Sequence, residues 1–275
     1  MSVLRVDAAL AEARRQGLER HEAQALLGAA LGVPRSWLLA HGDAVLDEAQ
    51  AARCAEWLAR FAGGEPLAYL RGRQEFHGLE LAVSPAVLVP RPDTETLVDW
   101  ALEAIATRPA AVLDLGTGSG AIALAIARRA PAAQLVAVDA SADALAVARA
   151  NGAALGFAVA WRLGSWFDAL AGEPRRRFDV IVSNPPYIAE ADPHLAALQH
   201  EPALALVAGP DGLDALRLIT AQAAPHLQPG GRLLLEHGHD QAAAVAGLLQ
   251  AAGFTGIETR RDLAGRPRCT GGRFA

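Results

Sequence analysis

The apolar run Phe178-Asp179-Val180-Ile181-Val182-Ser183 opens directly into Asn184-Pro185-Pro186-Tyr187, and that tetrad is the most informative stretch of the chain. Two prolines remove two backbone donors, so a ligand meets acceptors here: carbonyl oxygens and the Asn184 side-chain oxygen. Such a cluster fits a planar NH2 group, with one hydrogen on the Asn184 oxygen, the other on the Pro185 carbonyl, and Tyr187 against the flat face. An amide nitrogen is a poor nucleophile because its lone pair is delocalised into the carbonyl. Two acceptors pull density onto nitrogen and hold it in line with an electrophilic carbon, and positioning of this kind contributes ~7–11 kcal/mol. A structural Asn-Pro turn competes as an explanation of Asn-Pro-Pro alone; Tyr187 and the preceding strand pattern argue against it.

The electrophile has a candidate site of its own. Val112-Leu113-Asp114-Leu115 leads into Gly116-Thr117-Gly118-Ser119-Gly120 and then AIALAIARR, a strand, a glycine turn and a helix. Glycines allow the tight turn and the close approach of a ligand, and the helix start presents free N–H groups. Nineteen residues beyond Gly120, Val136-Ala137-Val138 ends in Asp139, where a carboxylate accepts hydrogen bonds from two ribose hydroxyls; the competing reading is a helix cap. The turn reads G-x-G-x-G, not the G-x-G-x-x-G of dinucleotide binders. With no pyrophosphate to hold, it fits S-adenosylmethionine (SAM), a methyl donor. Trp166 follows the next strand pattern and suits either an adenine cover or the core.

Positioning these groups takes a parallel sheet. Strand patterns over 111–115, 134–138, 158–163, 178–183 and 231–236 alternate with helical patterns over 94–106, 119–129, 142–155, 213–223 and 241–251, and two closing runs, 255–260 and 266–274, suit an antiparallel edge pair. Strand ends in such a sheet share one crevice, which brings the glycine turn and the tetrad together. Residues 1–65 read as helices broken at Gly32-Val33-Pro34, His41-Gly42-Asp43 and Gly63-Gly64-Glu65-Pro66, and residues 66–92 as a β-hairpin linker. The expected fold class is α/β: a Rossmann-like seven-stranded domain over 93–275, preceded by a small all-α bundle and the hairpin linker.

The composition narrows the function classes. The 275 residues contain no lysine, so all 25 basic residues are arginine, which excludes Schiff-base chemistry and a lysine-bearing P-loop. A net charge of -5 gives no reason to expect indiscriminate binding to nucleic acid or an anionic membrane. Cys54 and Cys269 stand far apart, so neither a disulfide framework nor a metal cluster is expected. The charged N-terminal stretch does not read as a signal peptide, and no run reaches the ~20 apolar residues of a membrane span, so the expectation is a cytoplasmic protein without metal. Arg175-Arg176-Arg177 and His237-Gly238-His239 read as a solvated loop and an ordinary strand terminus.

At the tetrad the chain resembles SAM-dependent amino-methyltransferases with an N-P-P-Y signature. Val89-Pro90-Arg91-Pro92-Asp93-Thr94-Glu95, Glu201-Pro202-Ala203-Leu204-Ala205-Leu206 with Gly209-Pro210-Asp211-Gly212, Leu234-Leu235-Glu236-His237-Gly238 and Asp262-Leu263-Ala264-Gly265-Arg266-Pro267-Arg268 narrow the resemblance to the peptide chain release factor glutamine methyltransferases, the PrmC or HemK family. The resemblance covers nearly the whole chain. It implies methylation of the side-chain nitrogen (N5) of the Gly-Gly-Gln glutamine in class 1 release factors. SAM contacts would fall on Gly116, Thr117, Gly118, Ser119, Gly120, Asp139, Trp166 and Asn184, and glutamine contacts on Asn184, Pro185, Pro186 and Tyr187, with Asn184, Pro185 and Tyr187 catalytic. It further implies that the N-terminal bundle binds the release factor; the acidic balance and the lysine-free N-terminal domain argue against nucleic acid as a direct partner, and a monomer is expected. Ser165 stands where an acid is usual before the tryptophan, and His77 where an aromatic is usual. Two alternatives remain at this point: an adenine-N6 or guanine-N2 nucleic-acid methyltransferase using the same tetrad, and a non-catalytic SAM sensor.

Overall fold

A computed structural model describes residues 4–106, 109–172 and 177–275. The chain divides into two compact units, Met1–Gly72 and Arg73–Ala275. The first is helical: α1 (Val6–Arg15), α2 (Arg20–Leu31), α3 (Arg35–Ala40), α4 (Glu48–Ala62) and α5 (Leu67–Arg71). Val6, Ala13, Leu26, Leu27 and Leu38 form its core. The helix starts and stops follow local chemistry. Asp47 and Gln50 make a reciprocal capping box at α4, their side chains and backbone N–H groups bonding at 2.7 and 3.0 Å, and left-handed Gly32 ends α2 just before Val33-Pro34. Leu67–Arg71, expected as part of a hairpin, is a helical turn, because Pro66 starts it and left-handed Gly72 ends it.

The second unit opens with the hairpin β1 (Arg73–Phe76) and β2 (Leu79–Ala82). The hairpin is packed into this unit: Phe76, Leu79 and Leu81 enter its core. The Asn151 side chain pins it in place, accepting from the Ala82 N–H at 2.7 Å and donating to the Ala82 and Ser119 carbonyls at 3.0 and 2.9 Å.

After α6 (Glu95–Ile105) come β3 (Ala111–Leu115), α7 (Ala121–Arg129), β4 (Gln134–Asp139), α8 (Ala142–Leu155), β5 (Ala160–Leu163) and β6 (Phe178–Ser183). Then follow α9 (Asp214–Ala223), β7 (Leu227–Glu236), α10 (Ala242–Ala251), β8 (Thr255–Arg261) and β9 (Pro267–Arg273). The sheet has seven strands in the order β5-β4-β3-β6-β7-β9-β8. The first five are parallel, and β9 pairs antiparallel with both β7 and β8.

Both faces are covered, as the near-continuous apolar strands require. Val112, Val180, Val182 and Leu234 pack with α6 and α7, while Leu113, Leu115, Ile181, Leu233 and Leu235 face the other way, toward α9 and α10. Burying each of these side chains contributes ~1.5–3 kcal/mol. Side chains fix the central pair at both ends. Asp179 accepts from the Ala111 N–H at 2.8 Å, and the Ser183 hydroxyl donates to the Leu115 carbonyl at 2.7 Å.

Candidate active site

From β3 the chain moves outward to β4 and β5, then returns to β6 on the other side of β3. Loops that leave the carboxyl ends of strands at such a reversal diverge and open a crevice. Leu115 and Ser183, the last residues of these strands, are register partners, so the glycine turn and the tetrad start side by side. The crevice is a cavity of about 460 Å³, inside the ~300–1,000 Å³ usual for small-molecule sites. Gly116, Thr117, Gly118, Ser119, Asp139, Trp166, Asn184 and Pro186 line it; Gly120, Pro185 and Tyr187 are not among the lining residues.

The turn is held from beneath and beside. Gly116 and Thr117 donate their N–H groups to the Val138 carbonyl at 2.9 Å. The Thr117 hydroxyl donates to buried Asp114 at 2.6 Å, and burial pushes that carboxyl up to about 7. Gly118 donates to Asp139 Oδ2 at 2.8 Å, and Ser141 donates to Asp139 Oδ1 at 2.9 Å. The cap of α8 is Ser141, whose hydroxyl accepts from the Ala144 N–H at 3.1 Å. Asp139 is therefore an oriented carboxylate on the cavity wall, and each oxygen keeps a lone pair for a ligand hydroxyl.

Two glycines of the turn differ in purpose. At Gly118, with φ +56°, a Cβ would meet no protein atom within 4 Å, so the free space there is the cavity's. At Gly120 a Cβ would stand 3.0 Å from the Trp161 indole and 3.1 Å from Leu124. Gly120 thus serves the close packing of α7, which explains its absence from the lining.

Trp166 combines both roles that its position allowed. One side packs on the core beneath the sheet, and the ring also lines the cavity, 3.4 Å from where a Gly116 Cβ would be. Its φ of 45° is unusual for a bulky residue, a strained conformation that aims the indole into the crevice. Ser165 lines the cavity beside it.

At the other loop, the Asn184 amide nitrogen donates to the Thr94 hydroxyl at 3.2 Å. Its amide nitrogen thus engaged, Asn184 keeps its Oδ1 available as an acceptor. Tyr187 turns away from the cavity lining into the apolar layer below the sheet, its hydroxyl 3.5 Å from Glu236 Oε1. Burial pushes the Glu236 carboxyl up to about 7, against the opposing pull of Thr94 and Arg268. Arg268 in turn pairs with Asp93 at 3.0 Å and Asp262 at 3.2 Å. Farther along, buried Glu201 accepts from the Val89 N–H at 3.0 Å and pairs with Arg91. The four motifs that flank the tetrad in sequence space are thereby joined by hydrogen bonds and ion pairs around one crevice.

Thr94, Glu236 and Arg268 were visible in sequence only as members of motifs; their partnership requires the register of β6, β7 and β9. His237 is fully buried with Nε2 2.7 Å from the Thr270 hydroxyl, and burial lowers its pKa, as suits a structural strand end. Arg175 and Arg176 lie outside the described residues. Among the described residues no cluster of metal-ligating side chains occurs, and no helix is long and apolar enough to cross a membrane.

Two family models match the chain, the PrmC N-terminal domain over residues 5–72 and the methyltransferase small domain over residues 94–202. The release factor glutamine methyltransferase of Xylella fastidiosa (strain Temecula1) is 51% identical over 269 residues, covering 96% of this chain and 97% of that one. The Escherichia coli (strain K12) protein of the same name is 44% identical over 258 residues, covering 93% and 92%. The chain belongs to the release factor glutamine methyltransferase family.

Solved structures extend the likeness at the level of fold. A methyltransferase from Pyrococcus furiosus aligns with a TM-score of 0.55 at 19% identity, over 80% of this chain and 98% of its own. A Thermus thermophilus 16S rRNA guanine-N2 methyltransferase, solved with AdoMet and guanosine, also aligns at 0.55, with 22% identity over 74% of this chain and 50% of its own. The residues of the crevice suit an adenosyl ligand: a carboxylate held at a strand end, an indole on the wall, room over Gly118 and a cavity of fitting size.

Proposed function

We propose that this enzyme transfers a methyl group from SAM to the side-chain nitrogen of the glutamine in the Gly-Gly-Gln motif of class 1 peptide chain release factors, as a monomer in the cytoplasm. The observation that carries this reading is the anchored Asn184, whose nitrogen is engaged by Thr94 at 3.2 Å while its side chain lines the same cavity as the glycine turn. In this reading Asn184 Oδ1 and the Pro185 carbonyl accept the two amide hydrogens, Pro186 lines the slot, and Tyr187 packs behind it against Glu236. The Gly116–Gly120 turn carries the amino acid end of the cofactor, Asp139 the ribose hydroxyls and Trp166 the adenine face. When bound, SAM supplies a methyl group activated by its sulfonium.

The protein's part is orientation and polarisation. Two acceptors draw density onto the amide nitrogen and hold it in line with the methyl group that bound SAM would supply, leaving the thioether S-adenosylhomocysteine; the surplus proton on nitrogen would go to water. No strong base is required. The N-terminal helical unit helps hold the release factor, and neither nucleic acid nor membrane is a direct partner. Relatedness over nearly the full length, helical domain included, favours a protein amide over a base amine and an enzyme over a sensor.

Mass spectrometry of tryptic peptides tests the reading. Purified release factor incubated with enzyme and SAM should gain one methyl on the Gly-Gly-Gln peptide. Methyl incorporation into DNA or tRNA, with none into the release factor, would overturn it.

A further inference from the structure

Glu236 ends β7 with its side chain 1% exposed, and among the described residues its Oε2 has no hydrogen-bond partner. An unsatisfied buried carboxyl lowers stability unless something else requires it. What surrounds it supplies the reason. Tyr187 of the tetrad reaches Oε1 at 3.5 Å, and Thr94, which holds the Asn184 amide at 3.2 Å, also bears on this carboxyl. Arg268 from β9 and Asp93 from the turn before α6 are its charged neighbours.

A threonine hydroxyl that accepts from Asn184 has its own proton to place, and a carboxyl oxygen is a strong acceptor for it. A Thr94 hydroxyl turned toward Glu236 would give this chain one polarity, from the Asn184 amide to Thr94 to Glu236, and leave Asn184 Oδ1 as the free acceptor. An amide that lost this direction could flip and offer N–H groups to the substrate instead. We infer that Glu236 is a positioning residue for the methyl-accepting amide, fixing the orientation of Asn184 through Thr94 and of Tyr187 directly. This rests on the proposed amide chemistry and adds to it a residue that touches neither substrate nor cofactor.

Glu236→Gln, Glu236→Met, Thr94→Val and the Thr94→Val/Glu236→Gln double variant would be compared in the full-length enzyme, reading kcat with release factor, SAM affinity by calorimetry, and Tm. Glu236→Gln should lower kcat by roughly 10- to 100-fold while its SAM affinity stays within about twofold. Glu236→Met should lose as much activity with Tm unchanged or raised, since an apolar side chain removes the buried carboxyl. The double variant should lose little more than the worse single variant, because both act along one chain of contacts. Wild-type kcat in Glu236→Gln, multiplicative losses in the double variant, or activity that falls only in step with Tm would each overturn the inference. If the Glu236 variants do not fold, Thr94→Val decides: reduced kcat at unchanged Tm supports it, and unchanged kcat overturns it. A wild-type enzyme that leaves the release factor unmethylated would count against the proposed function instead.

Discussion

Two loops leave neighbouring strands at the same height, and they build opposite kinds of surface. The loop after β3 is made of glycines in positive φ, with Gly116, Gly118 and Gly120 at +72°, +56° and +84°. It lacks side-chain bulk, and much of its backbone N–H supply is spent on the Val138 carbonyl and the Asp139 carboxylate. The loop after β6 carries Pro185 and Pro186, which have no N–H, so its backbone offers mainly acceptors to whatever enters. Removing Cβ atoms makes space for a large ligand, whereas removing N–H groups makes a slot selective for an NH2 group. One crevice thus has an end shaped for bulk and an end shaped for hydrogen-bond polarity.

Each end should fail in its own way. The largest effect is expected from Asn184→Ala, which should reduce turnover by roughly 10²–10³ with little change in SAM affinity, as loss of one preorganised partner does; steady-state kinetics paired with calorimetry would show it, and a loss confined to SAM affinity would break the division of labour. Next comes pH dependence. Glu236 titrates near 7 when folded and near 4.5 when not, so the unfolded chain releases this proton first and stability falls as pH climbs between those values, by at most on the order of 3 kcal/mol. Melting curves over that window should therefore be flatter for Glu236→Gln than for wild type.

Asp139→Ala should weaken SAM binding by roughly tenfold, the scale of a lost charge-assisted hydrogen bond, and leave kcat at saturating SAM close to wild type. Unchanged affinity would show that Asp139 serves the turn alone. The smallest effect is expected at Ser165, which lines the cavity beside Trp166. Ser165→Asp should tighten SAM binding by about threefold, the low end of one added hydrogen bond, and a calorimetric titration that finds weaker binding would place the adenine elsewhere.

The order and type of the elements were legible because their periods are unambiguous. The strand at 111–115 is found as expected, and the helix at 142–155 begins and ends at the expected residues, its serine cap and terminal glycine both evident in the chain. Leu67–Arg71 was misread because a four-residue apolar run fits either a strand or a helical turn, and only packing separates them: Leu70 joins the helical core and Leu67 packs against it. The tetrad and the glycine turn were legible as chemistry, since glycine and proline act through their own backbone wherever they stand.

What the chain alone determined is the kind of groups on offer: glycines that vacate space, prolines that withhold donors, an asparagine oxygen, a carboxylate closing a strand. Which of these face the cavity was decided by tertiary structure. Gly120 faces Trp161, Tyr187 faces Glu236, and Asp139 is held by Gly118 rather than capping a helix. The physical reason is that local sequence fixes backbone conformation and hydrogen-bonding capacity, while the direction of a side chain depends on neighbours brought by strand register from dozens of residues away.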